Sequence, residues 1–117
     1  VDIPDSISIS KKVRDTFQTI KNRTGVPNNV LSRIAIMLAI NSQASVQSVA
    51  KDDSAGQTLD RELMFGELLD FFDIALRQYR YETQTDLSMG ELIASLIEIG
   101  AHKMGHCRSL TDLARLE

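Results

Sequence analysis

The chain holds one cysteine, Cys107, among its 117 residues, which excludes an internal disulfide and fits a reducing, cytoplasmic setting. It contains no run of 18 apolar residues, so neither a transmembrane helix nor a membrane partner is expected. The opening stretch "VDIPDSISISKK" lacks the apolar segment of a secretory signal, and it lacks a Met, so a trimmed chain is expected. A Gly-rich phosphate loop, a Ser–His–Asp set and a paired-cysteine motif are also missing. Single Ser and Cys residues have no identifiable base. No enzyme, no catalytic residue and no cofactor is therefore expected. What is present, 43% apolar and 25% charged residues, is the composition of an ordinary globular domain with a modest core.

Net charge is −3, which taken alone argues against a nucleic-acid partner. Its distribution argues the other way. Residues 1–40 carry six basic groups (Lys11, Lys12, Arg14, Lys21, Arg23, Arg33) against three Asp, a net of +3. The remaining 77 residues carry seven basic and thirteen acidic groups, a net of −6. A basic end on an acidic body is the pattern of a protein that presents one face to a polyanion, although three charges is also within reach of chance clustering.

One domain is expected, with a basic strand–helix–helix segment over 1–40, a polar loop over 41–58 and an acidic helical segment over 59–117. "DSISIS" alternates Ser with Ile7 and Ile9, the period of a short strand that needs a partner, for which another subunit is one source. Ser10 caps a helix to about Thr24, with Val13, Phe17, Ile20 and Thr24 on its packing stripe and Lys11, Arg14, Gln18 and Lys21 on the neighbouring one. Gly25 ends it. A second helix runs from Pro27–Asn28 to about Asn41, with either Pro27 as its first residue or Asn28 as its cap. It is apolar nearly all round, so Ile34, Ile36, Met37 and Ile40 are expected at an interface between copies. "LDRELMFGELLDFFDIALRQYRYE" reads as one long amphipathic helix, with Leu68, Phe72, Leu76 and Tyr79 inward and Glu67, Asp70, Asp73 and Arg77 towards water. "SMGE" at 88–91 is a capping box that opens another helix, ended by Gly105, and "SLTDLARL" adds a short last one. The expected fold is mainly α, about four helices, with a strand–helix–helix order like that of a ribbon-helix-helix unit.

The joint "RTGVPNN" (23–29) is the most informative short stretch. The N-terminus of a helix offers free N–H groups and the positive end of a dipole to an anion. Thr24, the backbone at Gly25, the Asn28 and Asn29 amides and the Arg23 and Arg33 guanidinium groups could all add to such a site and hold a phosphodiester without reading a base. The plainer alternatives stay open. Gly25 is then a helix stop, the Asn residues are caps, and Arg33 is solvated or pairs with an acidic residue of the later helices.

Glu98, His102 and His106 lie at i, i+4 and i+8 beside Cys107, a spacing that could surround a divalent metal. Gly105 breaks the helix before His106 can align, so no metal site is expected. Glu67, Asp70 and Asp73 could hold Mg²⁺, but a solvated helix face gives the same pattern. Phe17, Phe65, Phe71 and Phe72 read as core, and Tyr79 and Tyr81 flank Arg80 in a run that could contact single strands.

"RTGVPNNVLSRIAIML", "GQTLDRELMFGELLD" and "AHKMGHCRSL" together, in this order, resemble the DndE family of bacterial DNA sulfur modification. The chain departs from the family at Pro27-Asn28, where Thr-Pro is the pattern, and at Ser109, where Gly follows the late Arg. The resemblance implies a small, helical homo-oligomer, a tetramer among the options, in a restriction-modification-like system. It implies binding to double-stranded DNA, nicked duplex included, beside a sulfur-activating enzyme and an ATPase that together replace a phosphate oxygen by sulfur. The expected DNA-binding residues are Lys11, Lys12, Arg14, Lys21, Arg23, Thr24, Gly25, Asn28, Asn29 and Arg33. The rival readings are a ribbon-helix-helix repressor or antitoxin, whose "SISIS" serines would be poor base readers, and an assembly subunit that binds no DNA.

Overall fold

The computed structural model describes residues 1–42 and 56–116. Ser6–Ile9 form strand β1, with Ile7 and Ile9 turned into the core and Ser6 and Ser8 outward, as the alternation predicts. Its partner lies in the same chain and not in another subunit. Gln57–Asp60 form β2, antiparallel to β1, with Ser6 opposite Asp60 and Ile9 opposite Gln57. The loop expected over 41–58 lies largely outside the described residues. Its two ends belong to regular structure: Asn41 and Ser42 finish a helix, and Gln57 and Thr58 begin β2.

Helix α1 (Lys11–Thr24) begins where Ser10 Oγ accepts the Val13 N–H at 3.2 Å. It ends at Gly25, whose φ of 80° is left-handed and whose N–H reaches the Lys21 carbonyl. Helix α2 (Asn28–Ser42) follows. Both expected registers of its start are off by one residue, because the Pro27 carbonyl accepts the Leu31 N–H at 3.0 Å. Pro27 is thus the N-cap residue, having no N–H to lose, and Asn28 is the first helical residue.

The long helix read over 59–82 is broken. Asp60 Oδ1 accepts the Glu62 and Leu63 N–H groups and caps a short helix, α3 (Arg61–Phe65). Gly66, at φ 53° and ψ −132°, then turns the chain through a conformation closed to side chains with a β-carbon. A 3₁₀ turn over Gly66–Leu68 leads into α4 (Leu69–Thr83). Phe65, Phe72 and Leu76 are buried as expected, and the Phe65 and Phe72 rings lie 5.0 Å apart. Three expectations on this stretch fail. Leu68, read as inward, is 48% exposed on the 3₁₀ turn, where no element of the core covers it among the described residues. The other two lie on α4. Phe71 is 56% exposed and not core, whereas Asp73 is buried. Asp73 is drawn in by two partners, the Asp2 N–H at 2.8 Å and Arg77 at 3.1 Å. It thereby clamps the N-terminal arm, which Arg61 also grips through the Ile3 carbonyl at 2.8 Å. The capping box at Ser88 and Glu91 is present and opens α5 (Met89–Met104), and Ser109 caps the last helix, α6 (Leu110–Ala114).

Helix α2 is sealed by α5 and α3 within the chain, which is why a nearly all-apolar helix needs no strand neighbours. Leu31, Ala35, Ile36 and Ala39 are buried against Leu92, Ile93, Leu96 and Ile97. Of the four residues expected between copies, Ile36 is wholly inside this core. Ile34 and Ile40 are half-buried and Met37 is 48% exposed, so only these three reach the surface. The helices meet where Gly100 of α5 lies directly on the backbone of Ala35, leaving no room for a β-carbon. Gly100→Ala is expected to cost about 3 kcal/mol, in the range of an overpacked core, and to lower Tm in a thermal melt without changing surface charge.

Candidate nucleic-acid interface

Burial of Val13, Phe17 and Ile20 fixes the rotation of α1 and turns its basic residues outward. Lys11, Lys12, Lys21 and Arg23 are exposed, and Arg14 is half-buried among them. The face is not uniformly positive. Asp15 sits in it, 3.2 Å from Arg14 and 3.3 Å from Lys11. Hydrogen bonds from Arg14 first and Lys11 second hold its carboxyl below the ordinary carboxylate range, so it stays ionised and cancels one charge of the face.

The joint is built differently from a ring of donors around an anion. Thr24 Oγ1 donates to the Ile20 carbonyl at 2.8 Å and accepts the Val26 N–H at 3.2 Å, a local C-terminal cap. Asn28 Nδ2 donates to Gln57 Oε1 at 3.3 Å, which ties α2 to β2. Asn29 Nδ2 donates to the Leu63 carbonyl at 3.1 Å, and Arg33 Nη1 to the Met64 carbonyl at 3.1 Å. These two residues, one helical turn apart, satisfy the carbonyls at the end of α3, a helix too short to satisfy its own. Arg33 is half-buried and pairs with no carboxylate among the described residues. Its partner is a main-chain carbonyl. Among the described residues, only the N–H groups of Asn28 and Asn29 are left at this helix start without an acceptor.

The positive surface instead continues from α1 onto the end of α5. A groove of about 420 Å³ is lined by Lys12, Thr16, Glu98, His102, Lys103 and Gly105, with apolar Val13, Ile99 and Ala101 at its floor. It shares Lys12, Thr16 and Gly105 with a second groove bounded by Lys11, Asp15 and Thr19. Glu98 is engaged there by the Ser10 hydroxyl at 3.0 Å. Further along, Arg23 Nη1 reaches the Cys107 carbonyl at 3.5 Å and brings the joint end of α1 beside the exposed His106 and Arg108. Charges nearly ninety residues apart in sequence thus form one strip. Lys103, which lines this groove, is absent from the residues expected from the sequence because charge summed over the acidic half hides a local basic cluster; "HKMGHCR" was the signal that could have found it.

The other constellations do not converge. Asp73 points into the fold while Glu67 and Asp70 stay outside, and His102 and His106 are exposed while Cys107 is buried. No group of three metal-ligating side chains comes together among the described residues. Tyr79 is half-buried and its hydroxyl is pushed up by burial, whereas Tyr81 is 79% exposed. None of the helices among the described residues is long and apolar enough to cross a membrane.

A strand, two helices with a glycine joint, and a short helix fastened to the second one define a small helical fold with one basic strip. That fold has relatives. The chain matches the DndE family, described as DNA sulphur modification protein DndE, over residues 6–112, and it belongs to that family. Its structure is similar to that of DndE from Escherichia coli B7A, a protein involved in DNA phosphorothioation modification. The TM-score is 0.69 and the identity 20%, over 86% of this chain and 95% of that one. It is also similar to a double glycine-to-lysine mutant of DndE involved in DNA phosphorothioation, with a TM-score of 0.65 and 19% identity over the same shares. No curated protein matches the chain.

Two outcomes follow from this geometry. Arg33→Gln removes a charged donor from the Met64 carbonyl and is expected to cost about 1–2 kcal/mol of stability, read as a lower Tm. Binding of the folded variant to DNA should stay close to that of the parent protein. Burial first, and Asp112 second, push the Cys107 thiol up, so it should resist iodoacetamide at neutral pH and react fully once the protein is denatured.

Proposed function

We propose that this protein is an accessory DNA-binding subunit of a phosphorothioation system, without catalysis of its own, that holds the phosphate backbone along α1 and the adjoining end of α5. The observation that carries the reading is the pair of adjoining grooves, one with Lys11 and one with Lys103, that share Lys12 and Thr16, in a chain of the DndE family. Lysines and threonine hydroxyls address phosphate oxygens, and nothing in the groove has the planar paired donors that read a base edge. The relatives' involvement in DNA phosphorothioation supplies the setting. In it, the sulfur-activating enzyme and the ATPase are the partners, duplex DNA with or without a nick is the ligand, and the protein acts as a homo-oligomer. The repressor reading is weakened by the strand pairing, because β1 is occupied by β2 and the outward Ser6 lies opposite Asp60, a poor surface for a major groove.

An electrophoretic shift series tests the proposal, using two unrelated duplexes, intact and nicked, at two salt concentrations. Equal affinity for the unrelated sequences and a steep loss with salt are expected. Lys12→Glu and Lys103→Glu should each weaken binding about tenfold, the scale of one lost charged contact of about 1–2 kcal/mol. Asp15→Asn should strengthen it, because a negative charge leaves the face. A strong preference for one short palindrome, or binding indifferent to all three substitutions, would count against the proposal.

A further inference from the structure

The chain has two histidines, and both stand on the basic strip. His102 lines the groove of Lys12, Thr16 and Lys103. His106 is exposed between Gly105, which lines both grooves, and Cys107, whose carbonyl Arg23 reaches. Neither imidazole has a hydrogen bond or an ion pair among the described residues, and neither joins a group of metal-ligating side chains there. Both rings are therefore exposed on the surface read as a phosphate contact, with no internal duty of the kind that occupies Asn29 and Arg33.

The charges around them set the direction of any response. On the groove side these are Lys12 of α1 and Glu98 and Lys103 of α5, with Lys11 and Asp15 in the adjoining groove. On the side of His106, Arg23 meets the Cys107 carbonyl, and the Asp112 carboxylate accepts the Arg108 N–H at 2.9 Å. Imidazole is the side chain whose charge ordinarily changes between about pH 8 and pH 6. Glu98 lies one helical turn before His102 and accepts the Ser10 hydroxyl at 3.0 Å. Whether an imidazolium at His102 faces Glu98 or a ligand, the groove gains one positive charge, so the sign is the same. We propose that His102 and His106, once protonated, join the phosphate contacts, so that the protein takes up protons as it binds DNA. Because protonation favours binding, binding favours protonation by the same factor. The inference rests on the reading of the strip as a DNA contact and adds to it two residues outside the Lys and Arg set.

Fluorescence anisotropy with the full chain and a duplex of arbitrary sequence, its ends left as hydroxyls, tests this from about pH 8 to pH 6 at fixed salt. The parent protein should bind about tenfold more tightly at the lower pH, the scale of a gained charged contact. The dependence of affinity on salt should steepen by about 0.9 in log–log slope for each imidazolium formed. His102→Gln and His106→Gln should each remove part of the pH response, and the double variant should be flat. His102→Lys carries a fixed charge and should bind tightly already at the higher pH. Both side chains are exposed, so circular dichroism should be unchanged in all of these. Calorimetry in two buffers of different ionisation heat should show proton uptake on binding for the parent protein and none for the double variant. No binding at low salt across the range would overturn both the inference and the DNA-contact reading. Binding that is tight but indifferent to pH would overturn the inference alone. A pH response retained by the double variant would overturn its assignment to the two histidines.

Discussion

The fold depends on the contact of Gly100 with the backbone of Ala35. Two helices packed so closely cannot carry a side chain between them, and this brings the apolar faces of α2 and α5 within reach along their length. Most of α2 is thereby buried inside one chain. The rest of the molecule is arranged around it. Its first turn fastens β2 and α3 through Asn28, Asn29 and Arg33, and β2 in turn completes the ribbon with β1. A joint with this many internal duties serves first as a structural hub.

That division of labour shapes the functional account. Side-chain donors at the joint are spent on protein oxygens, which among the described residues leaves only the Asn28 and Asn29 N–H groups there. The outer side of α1 and the end of α5 offer the lysines on which the proposed polyanion contact rests. The grouping is electrostatically economical. Asp15 and Glu98 are the acidic residues lining the two grooves, and each has a partner that moderates it: Arg14 and Lys11 for one, the Ser10 hydroxyl for the other. A strip of lysines and threonines suits a ligand recognised by its repeating phosphates, in keeping with a family involved in DNA phosphorothioation.

Much of this was legible in the residues. The helix boundaries at Ser10, Gly25, Ser88 and Gly105 were readable because capping is local, a matter of a few neighbouring side chains and N–H groups. The family resemblance was readable from three ordered stretches. What escaped the reading was non-local. "QTLD" has one apolar residue and becomes a strand only because β1 lies beside it. Gly66 looks tolerable inside a helical period, yet its backbone turn splits the helix in two. Asp73 is charged and buried, which no periodicity anticipates, because its partners are the N-terminal arm and Arg77. Arg33 stands on an apolar helix as though aimed at a ligand, and its partner within the fold is a carbonyl 31 residues on. Phe71 was read as core from its helical spacing, although it stands 56% exposed on the outer side of α4 among the described residues.

The central claim is that phosphate contact lies along α1 and the end of α5 while the joint holds the fold. Backbone amide resonances followed during titration with a short duplex of arbitrary sequence test it most directly. The account predicts the largest shifts within Lys11–Arg23 and His102–Arg108, with Asn28–Arg33 nearly unmoved. The largest shifts at Asn28 and Asn29, with residues 102–108 unmoved, would contradict it and return the anion to the start of α2.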